Sequence, residues 1–229
     1  MPRRYEIVAK ASGPKRGELL LYGDVGPSDW GMIDEKSFAD ALKSLGDVAA
    51  IDLRINSAGG SAFSGIAMYN QLMRHPASVT VHVDGLAASI ASVIAMAGES
   101  LVMGDGAQLM IHDASSLAWG NAAEMRRTAD LLDSVSGDIA AIYARRSGRA
   151  VDDIRTLMQA ETWFGAQEAV DAKLATAVAA GESVTASLTE SEATRFKHPP
   201  KVLLGVKAQH AASRIASMAA RARQHGGQA

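Results

Sequence analysis

Two side chains in the first half of the chain are of the types that together break acyl bonds. Ser89 closes the run Gly85-Leu86-Ala87-Ala88-Ser89, and His112 closes Met110-Ile111-His112. A serine hydroxyl attacks a carbonyl well only when a base takes its proton, and imidazole suits that near neutral pH. Each residue follows an apolar, strand-like run, where a fold can hold a nucleophile and its base rigidly. Upstream, Gly59 and Gly60 lack side chains and can bring backbone N–H groups against a bound carbonyl. A helix starting after Ser89 would aim the N–H of Ile90 at charge forming beside the hydroxyl. Singly, each feature is ordinary, since a serine at a helix start caps free N–H groups and a lone histidine packs. Their order and company point to acyl transfer.

An acid must orient the imidazole. Asp113 adjoins His112, but successive strand residues point to opposite faces, so it is poorly placed. Glu161, in a loop before Thr162-Trp163, is the preferred candidate. Asp152 and Asp153 are alternatives whose simpler role is to complement the dipole of the helix they begin.

Other chemistries find no support. The chain has no His-Glu-x-x-His zinc pattern, no phosphate loop ending in Gly-Lys-Ser/Thr and no dinucleotide glycine fingerprint. His82 alternates out of phase with Val79, Val81 and Val83 and is given no role. His198, His210 and His225 show no metal-ligand spacing, so neither a metal nor a cofactor is expected. Cysteine is absent, which removes disulfides and thiol catalysis together and fits a reducing compartment.

The elements that must position these residues alternate. Strands are predicted at Glu18 to Gly23, Ala49 to Ile55, Val79 to Val83, Ser100 to Met103 and Gln108 to His112. Helices are predicted over Asp34 to Leu45, Ala62 to Arg74, Ser89 to Met96, Asn121 to Arg146, Val151 to Gln159 and Ala166 to Ala172. Such alternation argues for parallel pairing with right-handed crossovers, which brings the loops at the strands' carboxyl ends to one edge. Ser57-Ala58-Gly59-Gly60, Gly85 to Ser89 and His112 all fall at such ends. The long helix carries Met125, Leu132, Val135, Ile139 and Ile142 as one stripe, for burial against its own core or a second subunit.

With 229 residues, 48% of them hydrophobic, the chain can bury a full core. The formal net charge of −2 implies neither a nucleic-acid nor a membrane partner. No apolar stretch near Met1 has the length of a signal peptide, and the window from Gly85 to Gly98 is shorter than the roughly 20 residues a bilayer needs. The expectation is an intracellular protein. Three parts are read: an N-terminal segment over 1–17, a main domain over 18–178 and a C-terminal extension over 179–229, partly helical or disordered. From Lys201 onward the extension could form a basic amphipathic helix.

Four segments in register resemble the ClpP family of serine peptidases. They are Ile55-Asn56-Ser57-Ala58-Gly59-Gly60, Gly85 to Ser89, Met110 to His112 and Glu161-Thr162-Trp163-Phe164-Gly165-Ala166-Gln167-Glu168-Ala169. Within the family the chain is most similar to the head maturation proteases of tailed phages and prophages. The resemblance implies an α/β fold of the Clp/crotonase type, in stacked strand-strand-helix turns with the long helix projecting to build ring-like homo-oligomers. It also implies Ser89 as nucleophile, His112 as general base, Gly60 and Ile90 as oxyanion donors, Gly59 against the substrate and Glu161 in place of the family's aspartate. Ala58 stands where the family usually has proline, and Asp113-Ala114 where it usually has Gln-Pro. From the resemblance, limited processing of phage capsid or scaffold proteins is expected, in the cytoplasm or the prohead, without a cofactor. Three alternatives stay open: an ATP-dependent ClpP-type subunit, a crotonase-like acyl-CoA enzyme, and a non-catalytic ring or scaffold subunit.

Overall fold

A computed structural model describes residues 6–13, 15–180 and 188–204. The basic helix expected in the tail, with His210 and His225, lies outside the described residues beyond Leu204. Eight strands form one sheet: β1 (Glu6–Gly13), β2 (Arg16–Tyr22), β3 (Ala50–Ser57), β4 (Ser78–Ala88), β5 (Ser100–Met103), β6 (Gln108–Ile111), β7 (Thr162–Gly165) and β8 (Ala177–Val178). The helices are α1 (Glu35–Ser44), α2 (Ala62–Met73), α3 (Ile90–Ala95), α4 (Ala122–Ser147), α5 (Val151–Gln159), α6 (Ala166–Asp171) and α7 (Glu190–Ala193). The sheet runs β1-β2-β3-β4-β5-β8, with β6 pairing β4 and β7.

Pairing is parallel from β2 through β8, as alternation of strands and helices predicts, because each crossover helix returns the chain to the same end. Two antiparallel pairs escape the sequence pattern. β1 forms a hairpin with β2, in the segment read as lying ahead of the main domain. The residues after Glu161, given no element above, form the strand β7 against β6.

The strand expected to end at Val83 continues to Ala88. Against β3 its register slips between Ile55↔Val83 and Ser57↔Ala87, so Asp84, Gly85 and Leu86 span one partner residue, a bulge that bends the strand. Before it, Thr80 to Val83 pair with β5; after it, Leu86 to Ala88 pair with β6. One strand thus carries the chain from the first neighbour to the second and delivers Ser89 beside the strand that precedes His112.

Val79, Val81 and Val83 of β4 pack in one core with Leu19, Leu21, Leu53, Ile55, Val93 and Ile94. Burying each such side chain is worth about 1.5–3 kcal/mol. Helix starts are set locally, by Asp34 accepting from the Ser37 N–H at 2.6 Å and by an Asn121–Glu124 capping box on α4. Gly148, at φ 73°, ends α4 in the left-handed conformation that favours glycine. The first half of α4 has no fully buried side chain, whereas Val135, Ile139, Ala140, Ile142 and Tyr143 of its second half enter the core. The expected stripe is therefore buried from Val135 onward, with Met125 and Leu132 only partly covered.

Candidate active site

Ser89 sits between β4 and α3 with φ 55° and ψ −130°, a backbone conformation strained for a residue with a Cβ. The surrounding bonds over-determine it. Its N–H donates to the Met110 carbonyl at 3.0 Å, and its own carbonyl accepts from the Ser92 N–H at 3.0 Å and from the Ser92 hydroxyl at 2.6 Å. Ser92 Oγ is also 2.8 Å from the Met110 carbonyl and 2.7 Å from the phenol oxygen of Tyr143. A fully buried hydroxyl pair thus lies under the serine and ties α4 to it. Burial pushes the Tyr143 phenol pKa up, so it stays a neutral donor.

His112 follows β6 directly, and its Nε2 lies 2.8 Å from Ser89 Oγ. The two residues that the sequence placed in one reaction are in hydrogen-bond contact. In the neutral imidazole with Nδ1 protonated, Nε2 accepts the serine proton. Burial lowers the imidazole pKa from its ordinary value; Glu161 and Asp113 pull it up and Lys197 pushes it down.

Gly59 and Gly60 have φ of 91° and 140°. A Cβ at Gly59 would stand 2.6 Å from the Ala88 carbonyl oxygen and 2.7 Å from Ser89 Cβ, and one at Gly60 would strike the Val25 carbonyl. Val25 grips the loop by donating to the Gly59 carbonyl at 2.8 Å and accepting from the Ser61 N–H at 2.8 Å. Among the described hydrogen bonds, the N–H groups of Gly60 and Ile90 have no protein acceptor. Gly60, Ile90, Ser89 and His112 all line one cavity of about 720 Å³. That arrangement fits the oxyanion role given to both glycine and isoleucine amides.

Glu161 is 5% exposed and sits immediately before β7, with φ 52°. Its charge reaches His112 through space, while its described hydrogen bonds come from elsewhere. The N–H groups of Lys197 and His198 donate to it at 2.8 and 2.6 Å, and the Trp163 indole at 3.4 Å. Asp113 lies past the end of β6, where strand phase no longer applies; it accepts from Arg155 at 2.6 Å, and its charge still pulls the imidazole pKa up. Asp152 and Asp153 are exposed in the first turn of α5. His82 faces Asp52 across β3 and β4 at 3.3 Å, outside the core.

The sequence reading missed Ser92, Tyr143 and the extension residues Arg195 and Phe196, which line or underlie the cavity. Ser92 carried one usable signal, a polar side chain in an otherwise apolar helix with no solvent-facing phase. Nothing local marks Phe196. Among the described residues, no cluster of three or more His, Cys, Asp or Glu could hold a metal ion, and no helix is long and apolar enough to cross a membrane.

The sheet, the bent strand that ends at Ser89 and the Ser–His pair form an arrangement of the ClpP type. Residues 39–182 match the Clp protease family, and the chain belongs to that family. It is 30% identical over 123 residues to the ATP-dependent Clp protease proteolytic subunit 1 of Leifsonia xyli subsp. xyli, covering 53% of this chain and 62% of that protein. It is 31% identical over 130 residues to the proteolytic subunit of Bacteroides fragilis, covering 56% and 63%. With the proteolytic subunit 3 of Rhodococcus jostii it shares 30% identity over 149 residues, 62% of this chain and 74% of that protein. The chain thus spans about three fifths of the length of the first two relatives.

Proposed function

We propose that this chain is a serine endopeptidase acting through an acyl-enzyme at Ser89. The observation that carries the reading is the 2.8 Å contact between His112 Nε2 and Ser89 Oγ at the wall of an open cavity. Ser89 Oγ attacks the peptide carbonyl carbon while its proton passes to Nε2, and the carbonyl oxygen takes up the negative charge against the Gly60 and Ile90 amides. Collapse breaks the C–N bond, with Nε2 returning the proton to the leaving amine. Water then attacks the ester by the same route in reverse order, restoring Ser89. Atoms and charge balance with peptide and water alone, so the reaction needs no cofactor. Glu161 is the acid partner, acting on the imidazolium through its charge.

A fluorophosphonate probe tests the reading. It should label the chain at Ser89, and Ser89→Ala should abolish labelling. An acyl-CoA enzyme of the crotonase type, or a non-catalytic ring subunit, would leave Ser89 unlabelled.

The finer reading is limited processing of phage capsid or scaffold proteins by a ring-like homo-oligomer, in the host cytoplasm or the prohead. It is supported by the departures at Ala58 and Asp113-Ala114 and by the extension past the matched region. A second reading, supported by the relatives named as ATP-dependent subunits, has an ATP-driven unfoldase feed the site. Incubation with a major capsid protein, against incubation with an unfoldase, ATP and a tagged globular substrate, separates the two. A few defined fragments in the first support processing; complete degradation in the second supports the alternative.

A further inference from the structure

The segment from Leu188 to Leu204 lies beyond the residues matched to the family, yet it is built into the site. It closes on itself, the Leu188 N–H donating to the Leu203 carbonyl at 2.7 Å. Leu188, Phe196 and Leu203 are buried with Ala58, Leu86, Ala88 and Met110, the residues flanking the oxyanion loop, the nucleophile and the base. Arg195 reaches back to Asp24 at 2.9 Å. The Phe196 ring stands edge-on to Trp163 at 5.2 Å and 84° and lies 6.2 Å from the His112 ring.

A buried carboxylate is tolerable only with donors, and two of the donors to Glu161 are the backbone amides of Lys197 and His198. Arg195 and Phe196 form part of the cavity wall and leave about 720 Å³ open beside Ser89, so the segment borders the site and does not fill it. We propose that Phe196 and the amides of Lys197 and His198 are positioning elements of the site, holding the Glu161 carboxylate and the His112 ring in the arrangement that activates Ser89. The assignment rests on the peptidase reading, since it names what sets that site.

The charges facing the imidazole are Glu161 and Asp113, which raise its pKa, and Lys197, which lowers it. Losing the hold on Glu161 while Lys197 stays therefore moves the imidazole pKa down. The test uses the full chain with Phe196→Ala, Phe196→Leu and His198→Pro, the last deleting one amide donor without changing Lys197. Phe196→Ala and His198→Pro should lower kcat for peptide cleavage by about ten- to a hundredfold. KM should change little, the acid limb of the rate should move to lower pH in His198→Pro, which leaves the imidazole buried, and Phe196→Leu should retain most of the rate. Faster cleavage in the variants would make the segment a plug and overturn the assignment. So would an unchanged rate and pH limb beside a lowered melting temperature, which is mere packing. NMR titration of His112 reads the same positioning without turnover. A fall in its pKa in His198→Pro, which keeps the ring buried, supports the assignment even if Ser89 proves unreactive toward the probe, an outcome that sinks the peptidase reading alone; an unchanged pKa there overturns it.

Discussion

Tyr143 of α4 and Ser92 of α3 meet hydroxyl to hydroxyl at 2.7 Å, with no access to solvent at Ser92 and almost none at Tyr143. Ser92 spends its single proton on the carbonyls of Ser89 and Met110, so Tyr143 must be the donor to Ser92. Tyr143→Phe should cost about 1 kcal/mol, an ordinary lost hydrogen bond. Ser92→Ala should cost about 1–3 kcal/mol, because it strands the phenol and frees the strained turn. Urea midpoints at constant slope measure both, and the double variant should lose less than the sum. Equal additive losses would show that the pair is not coupled.

His112 ties activity to pH. Because burial depresses its pKa below the ordinary 6.5, the imidazole is a free base at pH 7 and the acid limb of kcat/KM should fall below pH 6.5. Glu161→Gln removes a charge that raises this pKa, so the limb should move lower still while the plateau rate drops by up to about 10⁴-fold. Rate profiles from pH 4 to 9, on the order of five units wide, decide it. Stability follows the same sign: below pH 6.5 the unfolded chain binds the proton first, so folding weakens as pH falls toward the folded value.

The glycines of the oxyanion loop admit no side chain. Gly60→Ala forces a Cβ onto the Val25 carbonyl at φ 140° and should destabilise by at least about 2 kcal/mol while abolishing cleavage. Chemical denaturation with parallel probe labelling checks it. Unchanged stability would mean that Val25 does not clamp this loop.

Leu117 and Trp119, in the loop before α4, are fully exposed, and Leu131 on the first half of α4 is half exposed. In the proposed ring these residues are expected to be covered by neighbouring copies. Trp119→Asp should leave monomer stability within about 0.5 kcal/mol yet shift sedimentation from a large assembly to smaller species. A sedimentation profile identical to the parent would remove this loop from the interface.

Much of this was legible in residue order. Phase alternation placed Val79, Val81 and Val83 inward, and the glycine pair marked the tight approach to Ser89. Boundaries failed where tertiary contacts set them. Local composition ends the strand at Val83, but past the bulge at Asp84 to Leu86 the chain pairs with β6 from Leu86 to Ala88, which carries β4 on to Ala88. β1 and β7 gain their strand character from a partner and not from their own pattern. The two backbone donors to Glu161 lie 36 and 37 residues further on, a separation that no local spacing rule reaches.

That same separation orders events during synthesis. Ser89, His112 and Glu161 leave the ribosome before the amides of Lys197 and His198 exist as folded donors. The nascent chain therefore carries all three side chains of the candidate site while the amide donors to Glu161 are still missing. On the proposed function, competence to cut would arrive late, only when the returning segment docks.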